Sequence, residues 1–302
     1  MEDANRHSDL VRDQFTKQAV SFARKMAAPD RINFPVLREL TQVSAEDTVL
    51  DVACGPGLIA CAFAEVARAV TGLDLTPAML DRARDLQAER GLANITWDLG
   101  DVYRLPYPDG AFSLVVTRYS FHHLIEPAAA LREMARVCSP GGRVCVIDMV
   151  TSRATSEAFN AAEKLRDPSH IRALAPEELR SLLTEAGLTE LSTASYRMEW
   201  EVEEQLRASA PAPDDAEKFR MILRSDVGRD ALGVGVHVVG EAVYYSYLNL
   251  AVVGWKQDGD GTHGRAYGTN IVSGISYGGR SGARGLSGSA SVTPLAWAMA
   301  PS

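Results

Sequence analysis

Phe15, Ala19 and Phe22 recur at helical spacing, and Phe34-Pro35 leads into Leu37 and Leu40, so the first forty residues predict helix. From residue 48 the period changes. TVLDVA is a short apolar run of the kind a strand buried on both faces needs. A glycine loop follows, then a helix in LIACAFAEVARA ending near Val70, and a second strand in VTGLDL. TPAMLDRARDLQAERGL predicts a capped helix, with Thr76 at the N-cap, Pro77 at the first helical position and Gly91 near the end. A third strand in NITWDLGDV, a turn and then a fourth strand at Phe112–Thr117 come next. PAAALREMARV is a helix, SPGG a turn and RVCVIDMV a fifth strand. Strands alternating with helices at this spacing predict an α/β fold with a doubly wound, mostly parallel sheet.

After Val150 the regularity loosens. APEELRSLLTEAGL is a helix with a glycine stop, and Leu191–Trp200 is strand-like. Residues 201–228 suggest two short helices separated by APAPDD, and EAVYYSYLNLAVVGWK alternates as one or two strands. The pattern divides the chain into an N-terminal helical lid (1–45), a sheet core (46–200), a helical cap insertion (201–228) and strands completing the sheet (229–256). Residues 257–302 carry ten glycines, several serines and little apolar material, so disorder is expected there.

Composition narrows the class. Apolar residues make up 46 % of the chain and charged ones 23 %, which is ordinary globular usage. A formal net charge of −8 argues against a nucleic-acid or anionic-membrane surface, since both need clustered Lys and Arg. The amino terminus lacks a basic-then-apolar signal pattern, and no window of eighteen residues is apolar and charge-free. No membrane insertion and a cytoplasmic location are therefore expected, with a monomer or homodimer left open. Cys54, Cys61, Cys138 and Cys145 are not closely paired, which favours reduced, buried thiols and no metal site.

Chemistry enters at the glycine loop. Gly55-x-Gly57-x-x-Ala60 follows the first strand, so backbone N–H groups and a helix end face a ligand there. Asp51, Asp74 and Asp101 follow or end the first three strands, and ligands in such sheets sit outside the carboxyl ends of the strands. NAD would explain Asp74 through the ribose, but Asp51 would repel a pyrophosphate. A cofactor with a cationic end fits both carboxylates, and S-adenosylmethionine has a sulfonium, an ammonium, a ribose and an adenine.

VLDVACGPG, GLDLTPAML, GDVYRLPYPDGAFSLVVTRYSFHHL and LREMARVCSPGGRVCVIDM together resemble class I S-adenosylmethionine-dependent methyltransferases, in particular the ubiquinone/menaquinone-biosynthesis C-methyltransferase branch. The resemblance covers roughly residues 10–190. It implies a seven-stranded Rossmann-like sheet with an antiparallel last strand. It implies that Asp51, Ala53, Gly55 and Gly57 hold the methionine part and that Asp74 takes the ribose hydroxyls. Leu75 and Met79 would pack the adenine, Asp101 and Val102 would read its amine, and Arg118 would lie beside the methionine moiety. Phe15, Gln18 and Phe22 become lid candidates, although the helical spacing of the two phenylalanines equally suits core packing.

His122 and His123, in SFHHL, follow the fourth strand and are the residues placed to act as general base if the acceptor must lose a proton; a structural loop role is the alternative. His170, Tyr196 and Trp200, with Met198 and Tyr244–Tyr247, could line an acceptor pocket or simply pack. The expected activity is methylation of carbon or oxygen on a small aromatic, quinone-like or natural-product acceptor. The alternatives are an NAD-dependent oxidoreductase and a non-catalytic homologue that binds S-adenosylmethionine. No Asn-Pro-Pro-Tyr motif is present, which speaks against nucleic-acid bases as acceptors.

Overall fold

Alternation along the central strands sets the architecture. In β1 (Thr48–Val52), Val49 enters one apolar layer, while Leu50 and Val52 enter the other. In β4 (Phe112–Arg118), Leu114 and Val116 part from Val115, and in β5 (Cys138–Val150), Cys145 and Ile147 part from Val144 and Val146. A period of two with both faces apolar is what a strand between two helix layers requires. The computed structural model describes residues 2–26, 34–258 and 272–276, with side chains for 6–19 and 34–258.

The other strands are β2 (Ala69–Asp74), β3 (Ile95–Leu99), β6 (Leu188–Glu201), β7 (His237–Val239), β8 (Ala242–Lys256) and β9 (Val272–Ser276). The sheet runs β3-β2-β1-β4-β5-β8-β6-β9, with β7 paired to β8 as a hairpin. β1 to β5 pair in parallel, and β8 inserts antiparallel between β5 and β6. The expected mostly parallel sheet with an antiparallel last core strand is present, extended by two short strands. One of these, β9, lies in the Gly/Ser-rich segment and pairs parallel with the exposed edge of β6. Disorder was expected across that segment. The free N–H and C=O row of β6 offers a template that five residues can pair with and that composition does not register. The rest of the expected disordered tail lies outside the described residues.

Helices cover both faces. α2 (Phe34–Thr41), α3 (Leu58–Ala64), α6 (Ser156–Arg166), α8 (Val202–Ser209) and α9 (Pro213–Asp226) bring Leu37, Phe63, Phe159, Leu206 and Phe219 to one layer. α5 (Pro127–Val137) and α7 (Pro176–Glu185) bring Leu131, Met134, Leu179 and Leu183 to the other. Wholly buried side chains such as Phe63, Phe219 and Leu131 contribute about 1.5–3 kcal/mol each. α1 (Glu2–Met26) lies against α8 and against α4 (Pro77–Glu89).

Several boundaries moved for identifiable reasons. α3 stops at Ala64 instead of running to Val70, because the Asn94 side-chain amide caps its end by donating to Ala64 O and Ala67 O (2.9 and 3.0 Å). SPGG is absorbed into β5 as an irregularity, the register jumping from Phe112↔Cys138 to Leu114↔Arg143. Thr76 takes the extended N-cap conformation but makes no side-chain cap bond; its N–H donates to Asp74 Oδ1 (2.8 Å). α6 escaped the hydrophobic pattern because its buried positions are Phe159, Ala162, Glu163 and Arg166, a helical stripe in which two of the four are charged. Truncation after Lys256 is expected to leave the melting temperature and cofactor affinity in place, since among the described residues the two apolar layers draw on none beyond Val253; a large drop in calorimetric melting temperature would show that β9 stabilises the sheet.

Candidate active site

The chain order reverses between β1 and β4, and the crevice opens there beyond the carboxyl ends of the strands. A cleft of about 130 Å³ is lined by Asp51, Ala53, Gly55, Asp74, Leu75, Met79, Asp101, Val102 and Arg118. Gly57 is not on it. With φ +78°, it is the residue at which a Cβ would meet the Trp97 side chain at 2.6 Å and Ala83 at 2.8 Å, so its role is to let the loop pack onto α4 and β3. Gly55 and Ala53 also take positive φ, +53° and +55°.

The three carboxylates differ in their surroundings. Asp51, next to last in β1, is 1 % exposed, and its Oδ2 has no hydrogen-bond partner among the described residues. Burial pushes its carboxyl up to about 8, against the pull of the Ala60 N–H, with the nearby Asp74 charge adding to the rise. Asp74 accepts from Gly55 N–H through Oδ2 and from Thr76 N–H through Oδ1, both at 2.8 Å, so it ties the glycine loop to the end of β2. Burial raises its pKa too, opposed by those N–H donors. Asp101 is half-exposed and accepts from Tyr103 N–H (3.0 Å).

α1 roofs this cleft with His7, Ser8, Val11 and Phe15. Among the described side chains that fasten it are His7 Nε2 to His123 O (2.7 Å), Gln14 Nε2 to Ser209 O (2.7 Å) and Gln18 Nε2 to Asp167 Oδ2 (3.4 Å). Phe22 has no described side chain.

Beneath α1 a second cavity of about 60 Å³ adjoins the cleft, lined by Phe15, Gln18, Tyr119, His122, His123, Met149, Trp200, Gln205 and Tyr247, with Arg166 and Asp167. The 3₁₀ turn Phe121–His123 supplies both histidines. His122 Nδ1 stands 2.6 Å from Asp148 Oδ1, and its N–H donates to Asp148 Oδ2 (3.1 Å). With Met149 N–H also donating to Oδ1 (2.6 Å), Asp148 meets three N–H donors, which suits an acceptor-only carboxylate. In the tautomer that donates from Nδ1 to Asp148, Nε2 is the ring nitrogen left to accept. His123 is held differently, its Nδ1 3.0 Å from Ser169 O. Burial and the neighbouring His122 lower its pKa to about 4, so it is neutral at pH 7.

The charges in the chamber are paired. Arg166 bonds Glu163 Oε2 through Nε and Nη2 (2.9 and 2.8 Å) and stands 3.9 Å from Asp167, while Tyr247 donates to Glu163 Oε1 (2.7 Å). His170 lines neither cavity; its Nε2 bonds Asn160 Oδ1 at 2.8 Å, and burial lowers its pKa far below the usual range. Tyr196 lies one layer back, its hydroxyl 3.3 Å from that of Tyr119. The rings of His123 and His170 both lie close to that of His122, tilted against it, yet no group of three metal-ligating side chains is set to hold a metal among the described residues. Nor is any described helix long and apolar enough to cross a membrane.

Sequence reasoning missed Asp148, Tyr119 and the Glu163–Arg166–Asp167 group. Asp148 carried a usable signal, being a carboxylate near the end of the fifth strand, as Asp51 is in the first. Tyr119 carried none, because its distinguishing property is a backbone angle.

A doubly wound sheet with three acidic strand ends around a glycine loop is the arrangement of a nucleotide-cofactor enzyme, and the buried, unpaired Asp51 oxygen fits the cationic amino-acid end of S-adenosylmethionine. Comparison with known proteins agrees. The methyltransferase-domain family matches residues 50–146. The chain is 25 % identical to the methyltransferase YcgJ of Bacillus subtilis over 248 residues, covering 80 % of this chain and 98 % of that one. It is 32 % identical to the ubiquinone/menaquinone biosynthesis C-methyltransferase UbiE of Pseudomonas putida over 173 residues, 49 % of this chain and 68 % of the relative. The crystal structure of YcgJ shares the fold with a TM-score of 0.69 at 23 % identity, covering 75 % of this chain and 98 % of that chain. The chain belongs to the class I S-adenosylmethionine-dependent methyltransferases. Its cofactor is S-adenosylmethionine, which supplies a methyl group bound to a positively charged sulfur.

Proposed function

We propose that the enzyme methylates carbon or oxygen on a small, hydroxylated acceptor, an aromatic, quinone-like or natural-product ring, held in the chamber beneath α1. The observation that carries this reading is His122, held by Asp148 behind it, on the wall of a cavity that adjoins the cofactor cleft. With Nδ1 engaged by Asp148, His122 Nε2 takes the hydroxyl proton, and the electron pair released on the acceptor oxygen, or delocalised to a ring carbon, becomes the nucleophile. The aromatic walls at Tyr119, Trp200 and Tyr247 suit a flat acceptor. Because the guanidinium of Arg166 is committed to Glu163, carboxylate or phosphate acceptors gain little there. Excluding water and fixing the line of approach supply the rest of the rate.

On the cofactor side, Asp51 and the backbone at Ala53 and Gly55 hold the methionine part, with Arg118 beside it. Asp74 takes the ribose hydroxyls, Leu75 and Met79 pack the adenine, and Asp101 with the Val102 backbone reads its amine. Phe15 and Gln18 close the lid. Asp74→Ala is expected to weaken S-adenosylmethionine binding at least tenfold, since two hydrogen bonds to a carboxylate are lost, each worth ~1.5–3 kcal/mol. An unchanged dissociation constant by calorimetry would remove Asp74 from the site.

The test of the function is label transfer. The full chain is incubated with methyl-labelled S-adenosylmethionine and separate pools of hydroquinones, phenols, enolic diketones and primary amines. Labelled product in the hydroxylated pools is expected. Product from amines alone would overturn the acceptor class. Binding of S-adenosylhomocysteine without turnover in any pool would favour a non-catalytic role, and binding of NADH in its place would favour an oxidoreductase.

A further inference from the structure

Among the described residues, the cofactor cleft and the acceptor chamber share three lining side chains: Phe15, Tyr119 and His123. Each comes from a different element, α1, the residue after β4 and the 3₁₀ turn. These three side chains therefore stand where the two cavities meet.

Tyr119 is held under constraint. Its φ is +57°, a left-handed conformation that a bulky residue rarely adopts and that persists only where the surroundings impose it. Here the surroundings are specific. Its N–H donates to Ile147 O (2.8 Å), its hydroxyl lies 3.3 Å from that of Tyr196, and the Arg118 guanidinium carbon sits 4.4 Å from its ring centroid. A regular continuation of β4 would send this side chain elsewhere, so the strain serves to set the ring at the junction. His123 is pinned through Ser169, and Phe15 meets it edge-on with centroids 5.0 Å apart. Tyr119 is thus fixed to the sheet and His123 to the loop after α6, while Phe15 belongs to the lid. No side of it is charged at neutral pH, since burial keeps His123 neutral.

We propose that Phe15, Tyr119 and His123 frame the aperture through which the methyl group reaches the acceptor, and that Tyr119 is the positioning residue whose ring lies against the methyl-bearing sulfur. This rests on the cofactor reading above. A ring face attracts a desolvated cation more strongly than a neutral thioether, whose contact with the ring is favourable but weaker. The aperture therefore predicts discrimination between S-adenosylmethionine and its demethylated product, without reference to any acceptor.

The experiment is calorimetric titration of the full chain and its variants with each ligand separately, at pH 7. Tyr119→Ala is expected to weaken S-adenosylmethionine about tenfold and S-adenosylhomocysteine less than threefold. Tyr119→Phe keeps the ring and should behave as wild type toward both. Phe15→Ala should show the same selectivity to a smaller degree. If the alanine variant fails to fold by circular dichroism, Tyr119→Asn replaces it, because Asn tolerates positive φ. Equal losses for both ligands would reduce Tyr119 to a wall of the cofactor cradle and overturn the proposal, as would no loss for either. A selective loss in Tyr119→Phe would assign the effect to the hydroxyl and overturn it equally. Wild-type protein that binds neither ligand would bring down the cofactor reading itself, a different result from any of these.

Discussion

Asp51→Asn is expected to weaken S-adenosylhomocysteine binding by more than 100-fold, because in the proposed binding it removes the negative partner of a buried ammonium, an interaction whose loss costs ~3–5 kcal/mol when one charge is left behind. The pH dependence should be as informative as the affinity. Without ligand, burial holds the Asp51 carboxyl protonated up to about pH 8, far above its ordinary 3.8. Between those values the folded protein keeps a proton that the unfolded chain has lost, so this site lowers stability as pH rises through that window. A cationic ligand favours the ionised carboxylate and must expel the proton to bind. Affinity should therefore rise with pH, by up to tenfold per unit, until about pH 8, where the carboxylate is already ionised and the ligand's own amino group begins to lose charge. Titrations in buffers of different ionisation enthalpy should register a proton released at pH 7. In Asp51→Asn the rise and the proton release should both vanish. A pH-independent wild-type affinity would place the ammonium elsewhere.

His122→Ala is expected to lower kcat by ~10²–10⁴, the usual range for loss of a general base, with the dissociation constant of S-adenosylhomocysteine within threefold of wild type. Exogenous imidazole should restore part of the rate in this variant, because a diffusible base can occupy the space left beside the chamber. Asp148→Asn tests the positioning residue. Its three N–H donors would then face an amide, which cannot accept them all, so the imidazole loses its fixed tautomer. A fall in kcat is expected there too, without rescue by imidazole, since the ring is still present. His123→Ala separates the two neighbouring histidines: His123 sits on the aperture with its Nδ1 engaged by Ser169, so it should not show imidazole rescue. Rescue of His123→Ala and not of His122→Ala would exchange their roles.

Much of the cofactor side was legible in the chain. Asp51, Asp74 and Asp101 stand at the ends of successive strands, and in a parallel sheet strand ends converge by construction, so a local signal sufficed to bring them to one crevice. Gly57 shows where such reasoning overreaches. The motif marks a glycine that the backbone needs, and here the need is contact with Trp97, a residue of β3 whose proximity no local pattern reveals. The acceptor side was far less legible. Its chamber draws on α1, the turn after β4, the end of β5, α6, β6, α8 and β8, so its composition depends on how the cap and lid close over the sheet. α6 was hidden for a related reason: Glu163 and Arg166 occupy inward positions because they pair with each other and with Tyr247, and a pattern of apolar residues does not register a buried ion pair.

What the sequence determined by itself is the alternation that builds a sheet covered by helices on both faces, the acidic strand ends and the glycine loop. Each of these is encoded within a few neighbouring residues by side-chain period and backbone preference. What only the tertiary structure decided is which histidine meets a carboxylate, where the tyrosine after β4 points its ring and which residues lie between the two cavities. His122 and Asp148 are 26 positions apart, and Phe15 and His123 more than a hundred. Contacts at such separations are set by the packing of whole elements against one another, and no local period or propensity carries that information.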